Sequence, residues 1–280
     1  MLAALGSWLM AREAGGEWLL RIEDVDQPRE VAGAAASQLR TLARFGLQHD
    51  GEIVSQSQRG ALYRDALDRL IGSGLAFECH CSRAELAATG GIHRRCVAAS
   101  RRPDPAIRLR VRNDCEIGFD DLVHGHVRQR VDREVGDFVL LRADELWAYQ
   151  LAVVVDDAAQ AITDVVRGGD LLDSTPRQIL LQRALGLPTP NYAHLPLLLD
   201  SHGHKLSKSD AASPVHASDP LPTLRALWRC LGQAPLSDAS MRTPVEFLDV
   251  AVHAFQPSLI PRHALPASAA VHNTAATPRD

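Results

Sequence analysis

The sequence predicts an α/β fold, a parallel sheet flanked by helices, carrying a smaller inserted module and ending in a small helical region. Three observations predict it. Helix-like and strand-like segments alternate over residues 1–75, the alternation stops at a cysteine- and arginine-rich stretch over 76–137, and it resumes at Phe138. With 280 residues, 46% of them hydrophobic, the chain is long enough to bury one large core and a small insertion.

The elements follow in order. Leu2 to Ala14 reads as a helix stopped by Gly15 and Gly16, and Trp18 to Ile22 as a strand running into the acidic turn Glu23-Asp24-Val25-Asp26. Pro28 and Glu30 suit the first turn of a helix that continues to Phe45, and Ser57 to Ile71 gives another. Residues 76–137 read as the insertion, with short alternating segments such as Ile107 to Val111. Over 138–200 the main fold resumes: strand-like Phe138 to Leu141, an apolar run from Trp147 to Val155, a β-branched segment from Ile162 to Val166, a helix from Thr175 to Leu185 and a buried strand from Leu195 to Leu199. Residues 201–255 hold a polar loop and helices, and 256–280, rich in Pro, Ala and His, read as a disordered tail.

Composition excludes several classes. The apolar runs are far shorter than the roughly 20 residues a membrane helix needs. In Met1 to Met10 the first Arg comes after the apolar run, which poorly matches a secretory signal, so a cytoplasmic location is expected. Five cysteines are an odd number for a disulfide framework and direct attention to metal binding. Net charge is −4, yet Arg94 to Arg112 contains seven arginines against Asp104 alone. That patch is either a solvated face or a local nucleic-acid contact.

Of the 30 lysines and arginines only two are lysines, Lys205 and Lys208, and both lie in Lys205-Leu206-Ser207-Lys208-Ser209, directly after a buried strand. A compact ammonium on a flexible stem suits a moving triphosphate, whereas an incidental polar hairpin in so Arg-biased a chain would be expected to use Arg. Asp156 and Asp157 are adjacent, so their side chains diverge and a structural role is expected for them rather than a metal pair. Cys79-His80-Cys81 followed by His93-Arg94-Arg95-Cys96 supplies three thiolates and an imidazole, a tetrahedral set suited to one structural zinc through Cys79, Cys81, His93 and Cys96. His80 is the rival fourth ligand, and free buried thiols are the alternative to any metal. Cys115 and Cys230 lack ligand spacing, and His124, His126, His202 and His204 read as solvated loop residues.

The lysine-bearing pentapeptide resembles the KMSKS loop of class I aminoacyl-tRNA synthetases. Arg21-Ile22-Glu23-Asp24-Val25-Asp26, Tyr149-Gln150-Leu151-Ala152-Val153-Val154-Val155-Asp156-Asp157 and Val166-Arg167-Gly168-Gly169-Asp170-Leu171-Leu172 are similar, in the same order, to the glutamate-specific branch of that family. The likeness spans Leu2 to about residue 255 and is greatest to the short forms without an anticodon-binding domain. It implies a Rossmann-like catalytic fold, with its first half in 1–75 and its second in 138–200. It also implies ATP, with Mg2+, and L-glutamate as substrates, a glutamyl-adenylate intermediate, transfer of glutamate to the queuosine base of tRNA-Asp, and a monomer.

By this resemblance Glu23 holds the substrate ammonium, Tyr149 donates a hydroxyl to the same amino acid, and Arg167 faces a glutamate carboxylate, which a guanidinium can grip bidentately. Lys208 and Lys205 stabilise the phosphates during adenylate formation. A helix-capping acid, a core tyrosine and an ordinary ion pair are the plainer alternatives for the first three. In the family a tyrosine stands where this chain has His93 among the zinc ligands. The family's R-F-A-P-S-P-T-G strand and HxGS signature have no counterpart in these residues, so a sheet lacking its first strand is expected, through a start codon assigned too far downstream. A fragment of an ordinary glutamyl-tRNA synthetase and a non-catalytic, zinc-containing RNA-binding remnant remain the rival readings.

Overall fold

A computed structural model of the chain describes residues 1–26, 28, 30–88, 90–206, 219–236 and 241–269. The first helix, α1 (Leu2–Glu13), buries Leu2, Leu5 and Leu9 on one face. It lies so close to the sheet that a Cβ on Gly6 would come within 2.5 Å of Leu195 Cδ1, so a larger residue there would require the Leu195 side chain to shift. At its end Gly15, with φ of 67°, turns the chain so that the Gly16 amide donates to Ala11 O.

Two strands, β1 (Arg21–Ile22) and β2 (Val54–Ser55), pair in parallel. The strand predicted from Trp18 is shorter than expected, because the Trp18 amide donates to the Asp50 carboxylate instead of to a ladder partner. Between them lies α2 (Ala34–Arg44), which starts later than the sequence suggested. Gly33 precedes it in the left-handed region, φ 79°, a conformation through which no helix continues. Next come α3 (Gly60–Gly72), β3 (Ala76–Cys79) and α4 (Arg83–Ala87), the last with a capping box between Ser82 and Glu85.

Strands β4 (Ala106–Leu109), β5 (Glu116–Asp121) and β6 (Gly125–Arg130), then α5 (Val131–Glu134) and β7 (Phe138–Leu141), complete the middle of the chain. These strands pair across the boundaries drawn from the sequence: β3, β4 and β7 form one antiparallel sheet, while β5 and β6 join the last sheet. After α6 (Tyr149–Ala159) the order β8 (Asp164–Gly168), α7 (Thr175–Leu185), β9 (Asn191–Leu195) forms a parallel unit whose strands pair in register, Arg167 opposite His194. The sheet order is β6-β5-β9-β8. Among the described residues β8 and β1 belong to different sheets, with no strand hydrogen-bonded between them.

Helices α8 (Pro220–Cys230) and α9 (Pro244–Ala254) pack with α1 into the larger core, around Trp8, Trp228 and Phe247. A second core lies among α3, α6 and the β3-β4-β7 sheet. The tail expected to be disordered from 256 is instead ordered as far as 269. There β11 (Leu265–Pro266) pairs with β10 (Leu198–Leu199), and Ile260 is buried in the larger core, so apolar anchors outweigh the Pro-rich composition. Residues 270–280 of that tail lie outside the described residues, as does Lys208. Among the described residues no helix is long and apolar enough to cross a membrane.

Candidate active site

The alternation of β1 puts Arg21 and Glu23 on one side of the chain. Arg21 is held by three partners: Nη1 donates to Gln160 Oε1 at 2.8 Å, and Nη2 donates to Asp157 Oδ1 at 2.7 Å and, more weakly, to Glu23 Oε1 at 3.4 Å. Asp157 projects from α6 towards β1. Its neighbour Asp156 points the other way and accepts from Gln56, Arg59 and Tyr63, fully buried. The divergence expected of adjacent residues is therefore present, and Asp156 does tie α6 to α3.

Arg167, near the end of β8, is the centre of a polar cluster. Nε donates to His194 Nε2 (3.0 Å), Nη1 to the Tyr149 hydroxyl (3.3 Å), and Nη2 to Thr175 Oγ1 (2.8 Å), Gln178 Oε1 (2.7 Å) and Leu171 O (3.3 Å). The guanidinium also lies 5.6 Å from the centre of the Tyr192 ring. Three elements besides its own strand thus fix one side chain. Tyr149 comes from the first turn of α6, Thr175 and Gln178 from the first turn of α7, and His194 from β9.

Electrostatic coupling links the two groups, and the space between them is taken as the candidate cleft. Crowding by protein raises the Glu23 pKa more than Arg21 lowers it, although the side chain is 39% exposed towards the opening, and Arg167 is near enough to act on the same carboxylate. Asp157 is likewise raised, by burial against the opposing pull of Arg21. Burial and the negative field of Glu23 push Tyr149 up to about 12, so its hydroxyl is a donor at neutral pH. Burial opposes the charge on Arg21, but Asp157 and Glu23 outweigh it and raise its pKa. The cleft therefore carries two guanidiniums, two carboxylates that gain from a cationic partner, and a phenol, an arrangement complementary to a small zwitterion with an extra carboxylate.

The sequence-predicted residues Glu23, Tyr149 and Arg167 are thus brought together. Lys205 lies beyond the end of β8, its Nζ 2.7 Å from Asp170 Oδ2; Lys208 is outside the described residues. Arg21, Asp121, His194, Thr175 and Gln178 were missed. For Arg21 the signal was present, two residues before Glu23 in a strand. For the others nothing local distinguishes them from satisfied core polar groups. The apolar groove of about 480 Å³ beside α2, lined by Leu20, Leu39, Leu42 and Ile53, includes none of these charged residues.

The cysteine cluster forms separately. The ligand atoms of Cys79, Cys81 and His93, all buried, lie within 4.8 Å of one another. Cys96 is outside that mutual group, but its Sγ is 3.6 Å from that of Cys81. A disulfide needs about 2.05 Å; two thiolates on one tetrahedral zinc, at Zn–S of about 2.3 Å, stand about 3.8 Å apart. His93 Nδ1 is bonded to Asp137 Oδ2 at 2.8 Å, while its buried Nε2 has no hydrogen-bond partner among the described residues. An orphaned imidazole nitrogen beside thiols, with its other nitrogen held by a carboxylate, fits a metal-ligand histidine. His80 does not compete, since its Nδ1 accepts from the Arg102 amide. His124 departs from the solvated loop residue expected, for its Nε2 is buried.

Comparison with known proteins identifies the family. Residues 2–230 match the model for the catalytic domain of class I tRNA synthetases (E and Q), and the chain belongs to that family. Among curated relatives, the glutamyl-Q tRNA(Asp) synthetase of Xanthomonas campestris pv. campestris (strain 8004) is 60% identical over 264 residues, covering 94% of this chain and 88% of that protein. The protein of that name from Ectopseudomonas mendocina (strain ymp) is 50% identical over 250 residues, covering 89% of this chain and 85% of the relative. In fold, the chain resembles a glutamate tRNA ligase from Elizabethkingia meningosepticum CCUG26117, solved in complex with its amino acid. The TM-score is 0.78 and the identity 23%, over 96% of this chain and 64% of that one.

Proposed function

We propose that the chain activates L-glutamate with ATP to glutamyl-adenylate and transfers the glutamyl group to the queuosine base of tRNA-Asp. The observation that carries this is the Arg167–Tyr149 contact with Glu23 electrostatically coupled to both, in a chain whose curated relatives are named glutamyl-Q tRNA(Asp) synthetase. Glu23, already poorly satisfied by Arg21, takes the substrate ammonium, and the Arg167 guanidinium with the Tyr149 hydroxyl takes a carboxylate. The glutamate α-carboxylate oxygen attacks the α-phosphorus of ATP, and the bond to the bridging oxygen breaks, releasing pyrophosphate. Lys205 and Lys208 neutralise charge that develops on the phosphates, and Mg2+ accompanies the nucleotide. Leaving Asp170 for the triphosphate is what such a step asks of Lys205.

Zinc fits the donor set of Cys79, Cys81, His93 and Cys96. Four protein ligands would close the site, so it holds the β3 to β4 segment rather than activating water. Exposed arginines of that segment, among them Arg95, Arg101 and Arg102, and Arg112 just beyond β4, suit contact with tRNA phosphates.

The test is glutamate-dependent exchange of pyrophosphate into ATP without tRNA, followed by charging. Exchange without tRNA, and glutamylation of queuosine-containing tRNA-Asp but not of tRNA-Glu, are expected. Charging of tRNA-Glu would favour an ordinary glutamyl-tRNA synthetase; absence of exchange in a folded chain would favour the non-catalytic reading.

A further inference from the structure

Three neighbouring strands each place one side chain on a line that ends at the cleft. Asp121 closes β5, His194 stands in β9, and Arg167 lies opposite it in β8. Asp121 is 3% exposed and His194 0%. One Asp121 oxygen, Oδ2, is 2.6 Å from His194 Nδ1. The other, Oδ1, accepts the backbone amides of Val123 (3.0 Å), His124 (2.9 Å) and His194 itself (3.3 Å). Three amides on one oxygen leave the carboxylate no freedom to rotate. Since an ionised carboxylate only accepts, His194 Nδ1 must carry a proton, and since Nε2 faces the Arg167 Nε–H donor it must present a lone pair.

That lone pair meets Arg167 Nε–H at 3.0 Å, with Thr175 Oγ1 at 3.2 Å. With Nε so engaged and Nη2 directed at Thr175, Gln178 and Leu171 O, the guanidinium cannot offer the cleft its Nε–Nη2 edge. It offers Nη1, which already donates to Tyr149. The bidentate guanidinium grip that the sequence suggested is thereby excluded on that edge. What remains is a fork made of two residues, Arg167 Nη1–H and the Tyr149 hydroxyl.

We propose that Asp121 and His194 are positioning residues: by fixing the imidazole tautomer they set which edge of Arg167 faces the substrate, and so its selectivity for a carboxylate held jointly with Tyr149. This rests on the reading of Arg167 as a glutamate contact. Burial acts in the same direction, lowering the His194 pKa and keeping the ring neutral between Asp121 and the Arg167 charge, with Tyr192 and His124 as its other neighbours.

The informative variant is Asp121→Asn, which preserves shape. The three amides retain the remaining oxygen, so the new NH2 group must face His194 Nδ1. Two donors cannot face each other, and the imidazole proton moves to Nε2, where it meets Arg167 Nε–H. Nitrogen-15 NMR of the whole protein is expected to find His194 protonated at Nδ1 in the wild type and at Nε2 in the variant. Calorimetry is expected to find glutamate binding weakened roughly tenfold or more, with ATP binding changed less than about twofold.

An Nε2–H tautomer in the wild type overturns the proposal, whether or not the variant folds. So does a folded variant that binds glutamate as tightly as the wild type, or one that loses glutamate and ATP in equal proportion. A wild type with the expected tautomer that binds no glutamate would instead refute the reading of Arg167, leaving its orientation by His194 in place.

Discussion

Replacing Arg167 with lysine separates what the guanidinium does for the fold from what it does for a ligand. The guanidinium serves five acceptors: His194 Nε2, Tyr149 Oη, Thr175 Oγ1, Gln178 Oε1 and Leu171 O. An ammonium has three donors and no planar fork. Thr175, 3.2 Å from His194 Nε2, can turn its own hydroxyl to that nitrogen, which offsets one loss. At least one part-buried acceptor is then left without a donor, at a cost of about 1–3 kcal/mol. For a chain of this size that corresponds to a melting point lower by roughly 2–5 °C. The ligand loses a directed charge-assisted bond worth about 1.5–3 kcal/mol, or roughly ten- to a hundredfold in glutamate affinity. Thermal melting followed by circular dichroism reads the first quantity, and titration calorimetry with glutamate and with ATP reads the second. A variant with the lowered melting point but unchanged glutamate affinity would reduce Arg167 to a strut between β8, β9 and α7, and the assignment of the cleft would fall with it.

Glu23→Gln is expected to do the reverse. Its 3.4 Å contact with Arg21 is weak and partly exposed, and Arg21 keeps Asp157 and Gln160, so stability should change by less than about 1 kcal/mol. The glutamate KM in pyrophosphate exchange should rise more than about tenfold with the ATP KM unchanged; an unaltered glutamate KM would leave Glu23 a surface acid. Elemental analysis of the purified chain is expected to find about one zinc per molecule and almost none in Cys79→Ser, whereas equal metal in both would remove Cys79 from the ligand set. Stability should also depend on pH through His194. Its folded pKa is depressed, so below about 6.5 the unfolded chain takes up a proton that the folded one refuses, and stability falls as pH drops through that window. Glu23 and Asp157 act with the opposite sign at lower pH, because protonation relieves their burial as anions. Melting points from pH 7 to 5 should therefore slope less in His194→Gln than in the wild type, and identical slopes would show that His194 does not titrate as its surroundings require.

Local signals fixed a good part of the fold. The strand Phe138–Leu141 and the helix Thr175–Leu185 form with the predicted bounds, the first from a short β-branched and apolar run, the second from Pro176 at its start and Gly186, φ 67°, at its end. Elsewhere single residues overrode the pattern. Gly33 delays α2, Asp50 takes the amide of Trp18, and the β5-β6 hairpin, which looks like part of an insertion, is drawn into the main sheet by the pairing of Asp121 with Tyr192. No sequence window contains both partners of such a contact.

The site divides along the same line. Glu23, Tyr149 and Arg167 were legible because each sits in a short motif whose order along the chain is shared with the synthetase family, and the cysteines because thiolates and imidazole at close spacing suit one metal. By itself the sequence determined the chemical inventory: which charges, donors and thiols are available, and on which kinds of element they sit. Only the tertiary structure decided their direction. Asp121, His194 and Arg167 are separated by 73 and 27 positions along the chain and meet only because β5, β9 and β8 lie side by side. The reason is physical: residue type sets what a side chain can donate or accept, whereas strand register sets which partner consumes it and which edge remains for a substrate.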